Sequence, residues 1–170
     1  KNLQDQLYNK DLPLIRKALP RHPFRSSLLK GRANYLCTYR LEQALNTAFG
    51  YSQEDAKALS LIKDWSRRTR NGDISEIVDV HEGDPVWFHA TSTGDNCLGQ
   101  NCPDYADCFL VKARKQAQEA DLVVVNHHLL CADWSIRDTG FGELLPEAEV
   151  VIIDEAHQLV DFAIALAEAV

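Results

Sequence analysis

Cys97-Leu-Gly-Gln-Asn-Cys102-Pro-Asp-Tyr-Ala-Asp-Cys108 sets three cysteines in a C-x4-C-x5-C pattern, and a fourth, Cys37, lies sixty residues upstream. Gly94, Gly99, Pro103 and several Asp and Asn residues surround the trio, so the segment reads as loop and turn. It has few large apolar side chains and cannot fold by burial alone. Thiolates converging from a loop and one distant position suit a metal or cluster site, because bonds to the metal fix backbone that would otherwise move. Structural zinc favours C-x2-C knuckles, in which two ligands share one tight turn. Gaps of four and five with a remote fourth ligand favour a larger iron–sulfur cluster over zinc.

The totals bound what surrounds this site. A chain of 170 residues with a 45% apolar share holds one ordinary core or two small lobes. The longest apolar run, Phe162 to Ala167, is far short of the roughly 20 residues a bilayer-spanning helix needs. A start at Lys1 and the lack of any Met predict a piece of something larger. Five cysteines are an odd number, and with metal-type spacing they suit reduced thiols in a cytoplasmic protein. Cys131 follows Leu129-Leu130 and reads as a small buried hydrophobe. Net charge is −7 but uneven: residues 1–40 carry nine Lys/Arg and two Asp (9 − 2 = +7), and residues 41–170 carry nine and twenty-three (9 − 23 = −14). A basic face on an acidic body is compatible with a phosphate backbone, and equally with an unevenly charged solvated surface.

Taken in order, the chain opens helical, with Leu3, Leu7 and Leu14 as a stripe and Pro13 as a break. Residues 16–32 read as a basic, extended connection. Cys37 falls at or just before a helix start, where backbone N–H groups favour a thiolate. Leu41, Ala44, Leu45 and Ala48 continue that helix to Gly50. A second helix begins at Ser52, with Asp55 as capping partner and Ala58, Leu61, Ile62 and Trp65 on one face. It ends in Arg67-Arg68-Thr-Arg70, a tip suited either to DNA phosphates or to its own helix C-terminus. Residues 73–96 are irregular; His81 and His89 there are loop histidines rather than ligands, since four cysteines already complete a site. A helix follows Cys108 to about Ala120, with Phe109, Ala113 and Ala117 on a face.

Asp121-Leu-Val-Val-Val-Asn126 and Glu149-Val-Val-Ile-Ile-Asp154 then read as strands buried on both faces, as in a parallel sheet. With helices around them they predict an α/β layer into which the cysteine lobe is inserted. Val150-Val-Ile-Ile-Asp154-Glu155-Ala156-His157 puts two carboxylates at a strand's C-terminal end, where α/β sheets bind ligands. An Asp there can hold the magnesium of a nucleoside triphosphate and a neighbouring carboxylate can activate water. The plainer alternative is a strand running into a helix with Asp154 as its N-cap.

Asp-Glu-Ala-His resembles motif II of DEAH-box helicases. Together with Gly-Arg-Ala-Asn-Tyr-Leu-Cys37, the cysteine trio and Val-Val-Asn126-His127-His128-Leu-Leu, it resembles the XPD-like iron–sulfur DNA helicases of the bacterial DinG/YoaA branch. The resemblance implies a RecA-like motor domain with an inserted, mostly helical iron–sulfur domain. Residues 1–30 would belong to the motor domain after motif Ia, 31–115 to the iron–sulfur domain, 116–160 to the motor domain again, and 161–170 to the start of an arch domain. It implies a [4Fe–4S] cluster on Cys37, Cys97, Cys102 and Cys108. Asp154 would coordinate Mg2+ of bound ATP, Glu155 would be the catalytic base, and His157 would couple nucleotide to DNA binding. It implies 5′-to-3′ unwinding acting on single-stranded and forked duplex DNA in repair or replication stress, with no membrane partner. Arg32, Arg67 and Arg68 are the candidate DNA contacts.

The departures are a missing Gly-x-x-x-x-Gly-Lys-Ser/Thr phosphate loop and a missing second motor domain. The chain alone is therefore expected neither to hydrolyse ATP nor to unwind DNA. The alternative is a cluster- or zinc-bearing DNA-binding module without catalysis. A zinc-ribbon interaction domain is weaker, because it leaves the run into Asp154-Glu155 unexplained. A structural cluster, rather than a redox-sensing one, predicts that Cys37→Ser unfolds residues 31–115.

Overall fold

The computed structural model describes residues 3–47, 50–139 and 144–159. The chain divides into two compact units, one of Lys1–Lys30 with Arg114–Val170 and one of Gly31–Ala113.

In the first unit, α1 (Leu3–Gln6) runs through a π-helical turn (Leu7–Asp11) into α2 (Leu12–Ala18). The predicted break at Pro13 does not occur. Pro13 lies in the first turn of α2, where its missing N–H costs least, and the wide turn before it closes with the Leu12 N–H on the Leu7 carbonyl. The stripe also differs from the predicted one. Leu3 and Leu14 are exposed, and Leu12 and Gln4 are buried instead. The Gln4 amide donates to the carbonyls of Leu29 (2.9 Å) and Val124 (3.4 Å), so a polar side chain stitches the helix to the sheet.

That sheet is one parallel pair, β1 (Ser26–Leu28) with β2 (Leu122–Val124), in register Ser26↔Leu122, Ser27↔Val123 and Leu28↔Val124. β2 is the first predicted strand; β1 lies in the stretch expected to be merely extended. Asp121 starts the pair by accepting from the Arg25 N–H at 2.8 Å, and the Asp121 N–H returns to the Arg25 carbonyl at 2.9 Å. The Arg25 amide first, and its guanidinium second, hold the Asp121 carboxyl below the usual carboxylate range. Several cations expected on a basic face are used within the fold. Lys30 is buried against Asp5 at 2.9 Å, and Arg16 lies over the Phe24 ring and bonds the Ser26 hydroxyl. α7 (His127–Thr139) follows β2, with the Asn126 side chain accepting from the Leu129 N–H at 2.8 Å and Cys131 buried as predicted.

The second predicted strand is not formed. Residues 151–153 carry no ladder, and Val150 and Ile152 are 75% and 88% exposed. A strand exists through its hydrogen-bonded neighbour, and among the described residues none pairs with this run. The mixed helix and parallel-sheet architecture is nonetheless α/β. Ala48 and residues 161–170, including the expected arch segment, lie outside the described residues. Among the described residues no helix is long and apolar enough to cross a membrane.

The second unit has its own core. α3 (Thr38–Asn46) packs on α4 (Gln53–Ser66) and on the short α5 (Trp87–Ala90). Ser52 caps α4 as predicted, its hydroxyl accepting from the Asp55 N–H at 3.0 Å. Leu36, Leu41, Leu59, Ile62, Trp65 and Trp87 are buried in one cluster, the two indoles edge-on at 6.1 Å. Each fully buried aliphatic side chain of this kind contributes about 1.5–3 kcal/mol. α6 (Phe109–Gln118) begins in this unit, with Phe109 packed against the cluster.

Candidate metal centre and DEAH segment

Cys37 is the N-cap residue of α3. Its N–H donates to the Ala90 carbonyl at 2.8 Å and its carbonyl accepts from Leu41 at 2.9 Å, so helix start and α5 fix its backbone. Cys97 sits in a turn, its sulfur accepting from the Gly99 N–H at 3.4 Å. Gly99 has φ +56, the left-handed conformation that glycine adopts without strain. Cys102 closes a 3-10 turn (Gly99–Asn101), and Cys108 closes another (Tyr105–Asp107) before α6. Cys102 thus follows one tight turn and Cys108 the next, and the peptide after Cys108 goes straight into a helix.

All four thiols are free and half-buried. Burial pushes the Cys37 thiol above its ordinary value, and Cys108, Cys102 and Cys97 add to the rise in that order. The Arg40 backbone N–H, in the first turn of α3, pulls the other way, although Cys37 makes no formal capping hydrogen bond. The helix start therefore favours a thiolate as expected, but desolvation outweighs it. Cys37 thus feels three thiols that lie sixty or more residues further along the chain. Among the described residues, however, no three His, Cys, Asp or Glu side chains are gathered closely enough to hold a metal ion.

Two contacts that sequence reasoning missed surround the thiols. The Thr38 hydroxyl donates to Asp104 Oδ2 at 2.7 Å, joining the residue after Cys37 to the loop between Cys102 and Cys108. Gly72, at φ +64, lies directly under Phe109, the residue after Cys108, and its carbonyl accepts from the Leu36 N–H at 2.8 Å. Nothing local in the sequence signals the first. A glycine after a basic helix end hints at the second only as a turn. His81 and His89 serve local structure: His81 Nδ1 accepts from the Gly83 N–H at 3.0 Å, and the His89 ring meets Tyr51 edge-on at 4.8 Å.

Of the candidate DNA contacts, Arg32 is half-buried at the start of a 3-10 turn, and Arg67 and Arg68 are exposed at the end of α4. Arg68 Nε points back to the Asp64 carbonyl at 3.4 Å, which is the helix-end role rather than an outward one.

In the other unit, Asp154, Glu155 and His157 stand together and exposed. Glu155 has φ 49 and ψ 42, a left-handed conformation that costs a non-glycine residue about 1–2 kcal/mol. Asp154 Oδ1 accepts from the Glu155 N–H at 2.9 Å, and the Gln158 N–H closes on the Glu155 carbonyl at 2.9 Å. His157 Nδ1 lies 3.4 Å from Glu155 Oε2, an exposed pair. His127 Nε2 meets the Asp154 backbone carbonyl at 2.9 Å, so the start of α7 holds the turn in which the carboxylates sit. His127 belongs to the Asn126-His127-His128 signature, but its partner was not legible from the sequence.

The DEAD_2 family model matches residues 93–169, from the cysteine trio through the DEAH turn. The chain is 53% identical over 163 residues, 96% of its length, to the protein named ATP-dependent DNA helicase YoaA of Escherichia coli K12, and covers 26% of that protein. By sequence the chain is DinG/YoaA-like. It is 34% identical to the ATP-dependent helicase DinG of Mycobacterium tuberculosis H37Rv, covering 98% of this chain and 27% of that one. It is 32% identical to the 3′-5′ exonuclease DinG of Bacillus subtilis, covering 91% of this chain and 16% of that one. The DinG/YoaA-like chain therefore spans about a quarter, or less, of the length of these relatives.

Proposed function

We propose that this DinG/YoaA-like chain is the cysteine-lobe and DEAH portion of an ATP-dependent DNA helicase. The carrying observation is its similarity, over 96% of its length, to a protein named as such a helicase. The motor acts on single-stranded and forked DNA, moving 5′ to 3′, in repair or replication stress. Residues 31–115 form its iron–sulfur domain, inserted between RecA-like segments 1–30 and 116–160, with 161–170 entering an arch domain.

Cys37, Cys97, Cys102 and Cys108 hold a [4Fe–4S] cluster in this reading. The donor set supports it: four half-buried thiols in one compact unit, each felt at Cys37. Thiolates on a single zinc at about 2.3 Å would crowd to ~3.8 Å from one another, whereas a cluster offers each sulfur its own iron. The cluster supplies a rigid inorganic anchor that keeps the lobe in shape for separating a duplex.

Asp154 holds the Mg2+ of bound ATP, Glu155 orients and deprotonates the attacking water, and His157 relays the nucleotide state. Arg32, Arg67 and Arg68 meet DNA phosphates. In the isolated chain the two carboxylates are exposed and no phosphate loop cradles a triphosphate, so ATP hydrolysis needs the remainder of the motor.

That same exposure favours one second reading, a cluster- or zinc-bearing DNA-binding module without catalysis of its own. Metal and acid-labile sulfide analysis of anaerobically purified protein tests the cluster. About four irons and four sulfides per chain support it; one zinc and no sulfide turn the argument to the second reading. ATPase activity of the isolated chain that survives Glu155→Gln would refute the assignment of the carboxylates.

A further inference from the structure

We infer that Thr38 and Asp104 are positioning residues, a polar latch that joins the two cysteine-bearing segments without help from a metal. The inference rests on the thiol site proposed above. Thr38 follows Cys37 directly, and Asp104 lies two residues after Cys102 and four before Cys108. The Thr38 hydroxyl donates to Asp104 Oδ2 at 2.7 Å in a half-buried setting, across 66 residues of sequence.

Two independent observations give this contact weight. First, burial anchors only the ends of the loop, at Thr91 and Ser92 and at Phe109. Among the described residues none of 91–108 belongs to the apolar cluster, and Leu98 and Tyr105 are exposed. Between its anchored ends such a loop takes its position from polar contacts. Second, Asp104 forgoes its local role. Asp73, at the start of the 3-10 turn Ile74–Glu76, accepts from the Ser75 N–H at 3.0 Å and so caps its own turn. Asp104 occupies the same position before Tyr105–Asp107 but makes no cap. Its carboxylate goes to Thr38 instead. An acid diverted from the default local bond to a residue beside a ligand is placed to set the distance between the ligands.

The latch therefore holds Cys37 beside Cys102 and Cys108 while the thiols are empty, and slows loss of a cluster once it is bound. The experiment uses the 170-residue chain as it stands. In metal-free, reduced protein, hydrogen exchange is followed at the amides of Tyr105, Asp107 and Cys108, which close the turns of the loop. Thr38→Val and Asp104→Ala should each raise exchange there about tenfold, as loss of a charge-assisted hydrogen bond worth about 1.4 kcal/mol would. The double variant should do no more than either single, and Thr38→Ser should restore the parent rate. Amides of Leu59 and Ile62 serve as the fold control. In protein reconstituted with iron and sulfide, a chelator should bleach the visible absorbance about tenfold faster in Thr38→Val than in the parent. Unchanged loop exchange, additive single effects, or equal bleaching rates overturn the latch. A parent chain that takes up no iron and sulfide strikes at the cluster reading instead, and the exchange measurement still judges the latch.

Discussion

Gly72→Ala offers a severe test of how the cysteine lobe is built. Gly72 sits at φ +64, and an added Cβ would lie 2.5 Å from Phe109 Cδ2 and 2.8 Å from Phe109 Cβ. The left-handed backbone alone costs an L-residue about 1–2 kcal/mol. Forcing a methyl into an occupied site adds about 1–3 kcal/mol. The sum, about 2–5 kcal/mol, is a large share of the 5–15 kcal/mol that stabilises an ordinary domain. Relief is blocked on both sides: the Gly72 carbonyl is tied to the Leu36 N–H and its N–H to the Thr69 hydroxyl, each at 2.8 Å. Phe109 must then yield, and Cys108 moves with it. Urea unfolding followed by tryptophan fluorescence in a Trp134→Phe background reports on Trp65 and Trp87, both in this unit's core. Gly99→Ala is the control, since φ +56 imposes the backbone cost but nothing lies within 4 Å of the new Cβ. Pairing Gly72→Ala with Phe109→Leu should return part of the loss, with a coupling of about 0.5–3 kcal/mol. A Gly72→Ala midpoint within experimental error of the Gly99→Ala midpoint would refute the steric argument.

Three further outcomes follow from the same geometry. Cys37→Ser should bring exchange protection in residues 91–108 down to that of the metal-free parent but leave α4 protected, because the apolar cluster there needs no metal; loss of protection throughout α4 would support the expectation that the whole of 31–115 depends on the cluster. Acidification should release the Arg25–Asp121 start of the sheet. The fold lowers the Asp121 pKa, so its contribution is complete above about pH 4 and lost as pH falls through the lower folded value; a midpoint of the Arg25 amide shift at or above about pH 4 contradicts this. Arg67→Glu should weaken single-stranded DNA binding more than Arg68→Glu, whose Nε already serves the Asp64 carbonyl, and should reduce the salt slope by roughly 0.7 per lost phosphate contact; equal effects, or none, remove Arg67 from the interface.

The parts of this fold that were legible in the sequence are those in which one segment carries its own instructions. Ser52 and Asp55 with Ile62 and Trp65 at helical spacing specify α4 without reference to the rest of the chain. Leu122–Val124 declares a strand by composition, and the Gly, Pro, Asp and Asn residues around Cys97, Cys102 and Cys108 announce the turns that Cys102 and Cys108 close. The parts that were not legible depend on a distant partner. Ser26-Ser-Leu28 has no strand pattern and is a strand because Leu122–Val124, some ninety-six residues on, accepts it in register. Gln4 displaces the leucines of its own stripe from the buried face because two backbone carbonyls from other segments wait for its amide. Val150–Ile153 fails in the opposite sense: both-face apolarity states what the run would bury, and a ladder still requires a neighbour. The same division runs through the sites. Candidate chemistry that resides in residue type, four thiols or an Asp-Glu pair, can be read from the letters, while the contacts beside those residues, Thr38 on Asp104 and His127 on the Asp154 carbonyl, exist only once the chain has folded.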